Sequence, residues 1–105
     1  MTEAAEAPGR PAILLHGGSP DRRADVAAAL LGRWGDGLRV HRSSRAAEAA
    51  KWLVDPAVVG VVLIDAPPDA AAVRLAAAQR ADRWVNAVDA PWTAEMVLDA
   101  VSDRL

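Results

Sequence analysis

The sequence contains no cysteine, no tyrosine and no phenylalanine. The missing cysteines exclude disulfide bonds, thiolate metal ligands and thiol catalysis, and their absence fits a protein of the reducing cytoplasm. Because two aromatic residue types are absent, four tryptophans have to supply the large aromatic side chains. We therefore expect a cytoplasmic protein with a largely aliphatic core.

Neither sign of charge is in large excess, since 14 acidic residues stand against 12 basic ones and the net charge is −2. This balance gives no general electrostatic reason to bind nucleic acid or an acidic membrane. No stretch approaches the roughly 18 consecutive apolar residues of a membrane-spanning helix. We therefore expect neither a nucleic-acid nor a membrane partner.

Apolar runs alternate with helical stretches over residues 12–105, which predicts a single α/β domain with a parallel sheet. Residues 1–11 are acidic and rich in alanine and proline, and we interpret them as a flexible N-terminal tail. The run 58–64 is apolar throughout, as in a central strand covered on both faces. Right-handed crossovers favour the strand order 2-1-3-4 in a three-layer αβα arrangement. The predicted strands are residues 12–15, 38–41, 58–64 and 83–88, and the helix after the third runs to about residue 81.

Helical periodicity predicts which side chains face the sheet. Three helices carry inward stripes: Ala27, Leu30, Leu31 and Trp34 in the first, Ala46, Ala49, Ala50 and Leu53 in the second, and Ala94, Val97, Leu98, Val101 and Leu105 in the last. The stripe of the third helix is blurred by its many alanines. Trp52 lies roughly 100° around the second helix from that alanine stripe. It fits equally a half-exposed contact residue and a wide core face.

Candidate site residues follow the strands. In an open parallel sheet, ligands bind beyond the carboxyl ends of the strands where the strand order reverses, here between the first and third strands. This predicts an anion or ligand crevice formed by Gly17, Gly18, Ser19, Asp65 and Asp89. The glycines fit a phosphate cradle at a helix start or simply a tight turn. The aspartate after the third strand fits a ligand acceptor or a turn cap.

Two histidines and one arginine cluster complete the candidates. Only His41 accompanies His16, so we expect a surface or strand-end histidine there and no metal site. Arg39, Arg42 and Arg45 form a local basic cluster, which fits a solvated face or a site for an anion or an acidic partner.

Four segments, in order, resemble response-regulator receiver domains. They read AILLHGGSPDRRADVAAALLGRWG, LRVHRSSRAAEAAKWLVDP, VVGVVLIDAPP and PWTAEMVLDAVSDRL, and the match is continuous over residues 12–67. The resemblance implies a flavodoxin-like fold with Asp65 at the vestigial phosphoacceptor position. Gly17 and Gly18 replace the metal-binding acidic pair, Ala90 replaces the lysine, and one strand–helix unit is missing. The implied function is a non-enzymatic, phosphorylation-independent pseudo-receiver for protein–protein interaction in signal transduction, with no catalytic residue and no cofactor.

A second resemblance is to the NAD-binding domain of siroheme synthases, which act as precorrin-2 dehydrogenases. It rests on GRPAILLHGGS and WVNAVDAP. It implies a Rossmann-like dinucleotide-binding fragment, in which Gly17 and Gly18 approach NAD and Asp89 is the acid/base carboxylate. This dehydrogenase-like interpretation is the enzymatic alternative.

The shortened sheet also predicts self-association. A four-stranded sheet leaves residues 83–88 as an edge strand, and exposed edges invite pairing. Trp84 and Trp92 lie near that edge, and tryptophan is enriched at interface centres. We therefore expect a protein partner, most simply a homodimer built on Trp84, Trp92 and Met96.

Overall fold

The computed structural model describes residues 10–89 and 92–104. Nearly all of the predicted tail, and also Ala90 and Leu105, lie outside the described residues. In the described part, strands and helices alternate: β1 (Ala12–Gly17), α1 (Pro20–Trp34), β2 (Arg39–Ser43), α2 (Ala46–Trp52), β3 (Val58–Ile64), α3 (Ala70–Ala77), β4 (Trp84–Val88) and α4 (Ala94–Ser102).

The four strands form one parallel sheet in the order β2-β1-β3-β4. This confirms the predicted α/β class and strand order, and it is the arrangement of a small Rossmann- or flavodoxin-like fold. β3 lies inside the sheet and is buried except at Val59, which is half-buried, as its continuous apolar run predicts. β2 and β4 form the two edges, and all four carboxyl ends lie at one end of the sheet.

Alternating strand residues build a separate core on each face of the sheet. The face under α1 and α4 buries Ile13, Leu15, Val62, Ile64 and Val88 together with Val26, Leu30, Val97 and Val101. The face under α2 and α3 buries Leu14, Val61 and Leu63 together with Ala49, Leu53, Val73 and Ala77. Helix contacts pair α1 with α4 and α2 with α3, which completes the three layers.

In α1 and α2, the residues that are buried differ from those that the periodicity predicts. In α1, Val26, Ala27 and Leu30 form the buried stripe, and Leu31 lies on its flank with 45% of its surface exposed. In α2, Ala49 is buried but Ala50 is exposed. A helix on one face of a sheet buries only a narrow stripe, and an alanine-rich sequence does not mark where that stripe lies.

α3 is shorter than predicted, ending at Ala77 rather than near residue 81. Two arginines explain the early stop. Arg80 donates to the Pro56 carbonyl and pairs with Asp82, while Arg83 donates to the Val58 carbonyl. These contacts draw the chain back to the amino end of β3. Among the described residues, no helix is both long and apolar enough to cross a membrane.

Candidate functional site

The loops after β1 and β3 meet at the predicted crevice and pack directly against each other. Gly17 and Gly18 have φ angles of +96° and +66°. A β-carbon on Gly17 would lie 2.6 Å from the Ile64 carbonyl oxygen and 2.9 Å from the Pro67 side chain. Glycine is therefore required both for the backbone conformation and for the close approach of the two loops. The chain's own atoms fill this part of the crevice.

Both carboxylate oxygens of Asp65 bind groups of the same chain. Arg22 Nε lies 3.2 Å from Oδ2, and the Trp92 indole N–H donates to Oδ1 at 3.0 Å. The Arg22 guanidinium also lies 5.3 Å from the centroid of the Trp92 ring, within cation–π range. Asp65 and Ala66 have φ angles of +56° and +48°, so the turn is held in a conformation that non-glycine residues adopt only at a cost. The aspartate ties β3 to the start of α1 and to the segment before α4.

The remaining crevice residues have different surroundings. The Ser19 hydroxyl accepts from the Arg22 backbone N–H and caps α1. The Asp65 N–H donates to the Val88 carbonyl at 2.9 Å, so Asp89 follows directly beside the Asp65 loop. Asp89 is exposed and forms no ion pair within the described residues. The structure thus brings Gly17, Gly18 and Asp65 together, and leaves Asp89 at the rim.

His16 lies near the end of β1, as one of the two predicted alternatives has it, but it is fully buried and not at the surface. Its Nδ1 lies 2.7 Å from the Ser43 hydroxyl and its Nε2 lies 2.7 Å from Asp69 Oδ1. The hydrogen bond from His16 lowers the pKa of Asp69, which is therefore ionised at neutral pH. An ionised carboxylate can only accept, so Nε2 carries the hydrogen, and Ser43 donates to Nδ1 when the ring is neutral.

This serine, histidine and aspartate are the residue types of a hydrolytic triad, but the burial of the serine and the histidine gives the three another role. A nucleophilic serine must be reachable by substrate, whereas Ser43 is 3% exposed and His16 is 0% exposed. Both ring nitrogens of His16 and the hydroxyl of Ser43 are paired, which offsets the cost of burying them. The cluster therefore fastens the ends of β1 and β2 to the start of α3.

The sequence reasoning missed this cluster, although one signal was available. His16 and Ser43 are paired in the parallel register of β1 and β2. Extending the two predicted strands to these residues brings the side chains together, whereas pairing the predicted ends, residues 15 and 41, would put His16 opposite Arg42. Nothing in the sequence indicated Asp69, because its position depends on the conformation of the turn after β3.

The basic cluster predicted at positions 39, 42 and 45 is divided by the strand geometry. Arg39 lies 3.3 Å from Asp55 at the amino end of the sheet. Arg42 is exposed at the other end of β2, and its side chain points to the opposite face because strand residues alternate. Arg45 is the N-cap residue of α2. The three guanidinium groups therefore do not form one site.

The three proposed interface residues differ in exposure. Trp84 is half-buried, with its ring against Gly60 and the Arg104 guanidinium 5.8 Å from the ring centroid. Trp92 is half-buried and bonded to Asp65. Met96 is 53% exposed on α4. Comparison with protein-family models, curated proteins and solved structures found no match.

Proposed function

We propose that the protein is a receiver-like interaction module of the cytoplasm that works without phosphorylation and without catalysing a reaction. The observation that carries the proposal is the internal pairing of Asp65 with Arg22 and Trp92. This carboxylate occupies the position at which the resemblance puts a phosphoacceptor. One of its oxygens pairs with Arg22 of α1, and the other accepts from Trp92, which precedes α4.

The chemistry of the crevice supports the same conclusion. Phosphoryl transfer to an aspartate needs a divalent cation, and Mg²⁺ binds through carboxylates and water in near-octahedral geometry. Gly17 and Gly18 provide no carboxylate, and the space beside Gly17 is taken by Ile64 and Pro67. Arg22 already pairs with the Asp65 carboxylate.

The same contacts favour this proposal over the dinucleotide-binding alternative. A glycine-rich loop binds pyrophosphate because the ligand approaches its backbone closely. In this protein the Pro67 side chain lies against Gly17, in the place where a pyrophosphate would have to approach the backbone. The carbonyls of Gly17 and Gly18 both accept from Arg23 Nη1, at 2.9 and 2.8 Å, which fixes the loop from the α1 side.

For the partner surface, we propose the β4 edge together with the exposed side of α4. β4 ends the sheet, so no strand among the described residues pairs with its outer backbone groups, and that edge can accept a strand from another molecule. Met96 adds an exposed apolar side chain on the neighbouring helix. Trp84 contributes its outer edge, because its inner face already packs on Gly60.

The first test is chemical. Amide NMR spectra recorded before and after addition of beryllofluoride with Mg²⁺ should be the same, because Asp65 is engaged and no acidic pair is present. Addition of NAD⁺ should likewise leave them unchanged. Large shifts around Asp65 that disappear in Asp65→Asn would overturn the proposal, as would NAD⁺-dependent shifts at Gly17 and Gly18.

The second test addresses self-association. Sedimentation at micromolar concentration should give a mass above the 11.0 kDa monomer. Met96→Glu should lower that mass, whereas Leu75→Glu, a matched change at a 69% exposed residue of α3, should not. A wild type that stays monomeric at all concentrations, or equal effects of the two variants, would refute the β4–α4 surface.

A further inference from the structure

Two cavities lie side by side along α2, and they share Glu48. The first has a volume of about 200 Å³ and is lined by Pro20, Arg23, Arg42, Ser43, Ser44 and Glu48. The second has a volume of about 300 Å³ and is lined by Glu48, Lys51 and Trp52. We call the two together the α2 groove. The second cavity lies at the lower end of the roughly 300–1,000 Å³ of small-molecule sites, and the first provides further space on the other side of Glu48.

The first cavity carries two arginines without a carboxylate partner in the described part of the chain. Arg23 is fixed in place by Nη1, which donates to the Gly17 and Gly18 carbonyls. Arg42 is exposed at the end of β2 and forms no ion pair with any described residue. Guanidinium groups suit phosphate oxygens, which accept two parallel N–H bonds. This end of the groove is therefore suited to a phosphate monoester.

Glu48 lies between the two cavities with one oxygen available. Its Oε1 accepts from the Ser44 N–H, the Ser44 hydroxyl and the Arg45 N–H. The bond from the Ser44 backbone is the largest cause that lowers the pKa of Glu48, which is therefore ionised at neutral pH. Its Oε2 has no partner among the described residues and can accept from ligand hydroxyl groups.

The second cavity carries a preorganised aromatic surface. Trp52 is 40% exposed, and its ring stacks on His41 with centroids 4.0 Å apart and planes within 5°. Burial is the largest cause that lowers the pKa of His41, so the imidazole is neutral at pH 7. A large aromatic held at the surface in one orientation is suited to stacking against a planar ring.

We infer that the α2 groove binds a nucleoside monophosphate, with its phosphate on Arg23 and Arg42, its ribose hydroxyls on Glu48 and its base on Trp52. A phosphotyrosine fits less well, because its phosphate is attached directly to the ring and leaves no spacer to pass Glu48. This inference goes beyond the proposed function and does not depend on it, since the groove lies on the β2 side of the sheet.

The experiment titrates labelled protein with AMP, ribose 5-phosphate, inorganic phosphate and phosphotyrosine, and follows the amide shifts by NMR. AMP should shift Arg42, Glu48 and Trp52, and should bind about tenfold or more tightly than ribose 5-phosphate, which lacks the stacking base. Absence of shifts at millimolar AMP overturns the inference. Equal affinity for AMP and inorganic phosphate, or tighter binding of phosphotyrosine, overturns the nucleotide assignment.

Single substitutions at exposed positions separate the two ends of the groove. Arg42→Ala should weaken both AMP and ribose 5-phosphate by about tenfold or more, while Arg74→Ala, an exposed arginine of α3, should change neither. Trp52→Ala should weaken AMP alone, and Leu75→Ala should leave it unchanged. A Trp52 variant that keeps the preference for AMP, or an Arg42 variant with undiminished affinity, would contradict the placement.

Discussion

The contact between Gly60 and Trp84 gives a prediction whose sign follows from the geometry. Gly60 is buried in β3 and pairs with Trp84 of β4 in the sheet register. A β-carbon at Gly60 would overlap the Cδ2, Cε2 and Cζ2 atoms of the indole. Gly60→Ala must therefore displace the Trp84 ring, which also packs against the core under α1 and α4.

The expected cost is that of overpacking a core, about 1–3 kcal/mol. Lower entropy of the unfolded chain offsets about 0.4–1 kcal/mol of it. Because the overlap with the indole is so close, the upper part of that range applies. The net loss of about 1–2.5 kcal/mol is a measurable fraction of the roughly 5–15 kcal/mol by which domains are stable, and each kcal/mol corresponds to a fall in Tm of about 4–8 °C. Gly32→Ala is the matched control, because a β-carbon there meets nothing within 4 Å in α1. It should stabilise the protein by about 0.5–1 kcal/mol.

Urea unfolding of both variants measures the difference, and a double-mutant cycle identifies its cause. In a Trp84→Leu background, Gly60→Ala should lose most of its cost, because the overlapping ring is gone. A Gly60→Ala protein as stable as the wild type would refute the position of the indole. The same holds if its cost is unchanged in the Trp84→Leu background.

Two further substitutions test the core and the buried polar cluster. Val62→Asp puts an unpaired charge into a fully buried position of β3, at a cost of several kcal/mol, and circular dichroism should show a largely unfolded protein. The control Val54→Asp changes an 80% exposed residue and should fold. The reverse outcome would contradict the assigned burial of the two residues. Asp69→Ala leaves a buried His16 N–H without its acceptor and should cost about 1–3 kcal/mol. Because the folded state lowers the pKa of Asp69 below its ordinary 3.8, the unfolded state binds the proton first, and stability falls as the pH drops through that region. Asp69→Ala should show a smaller acid-induced fall in the urea midpoint, and equal pH dependence in both proteins would contradict the assigned bond.

More of the fold than of the candidate site could be predicted from the sequence, and the reason is physical. The apolar run of β3 and the right-handedness of crossovers together define the strand order, and both depend on local sequence. The site depends on contacts between loops far apart in the chain. Asp65 meets Trp92, 27 residues away, and His16 meets Asp69, 53 residues away.

The sequence also did not show which side chains of the helices are exposed. Ala49 and Ala50 are chemically identical, yet only the first is buried. Only the position of the helix on the sheet distinguishes them, and an alanine stripe carries little information about that position. For the same reason, the exposure of Trp52 on α2 could not be decided from periodicity.

The tight fit between Gly17 and Pro67 has a consequence for how this chain can change during evolution. A side chain at position 17 would collide with the turn after β3, so a substitution there requires an earlier change in that turn. A smaller residue at position 67, in turn, opens space that only a second change can fill. Neither position can drift alone, and a route that places a carboxylate at position 17 passes first through a destabilised intermediate.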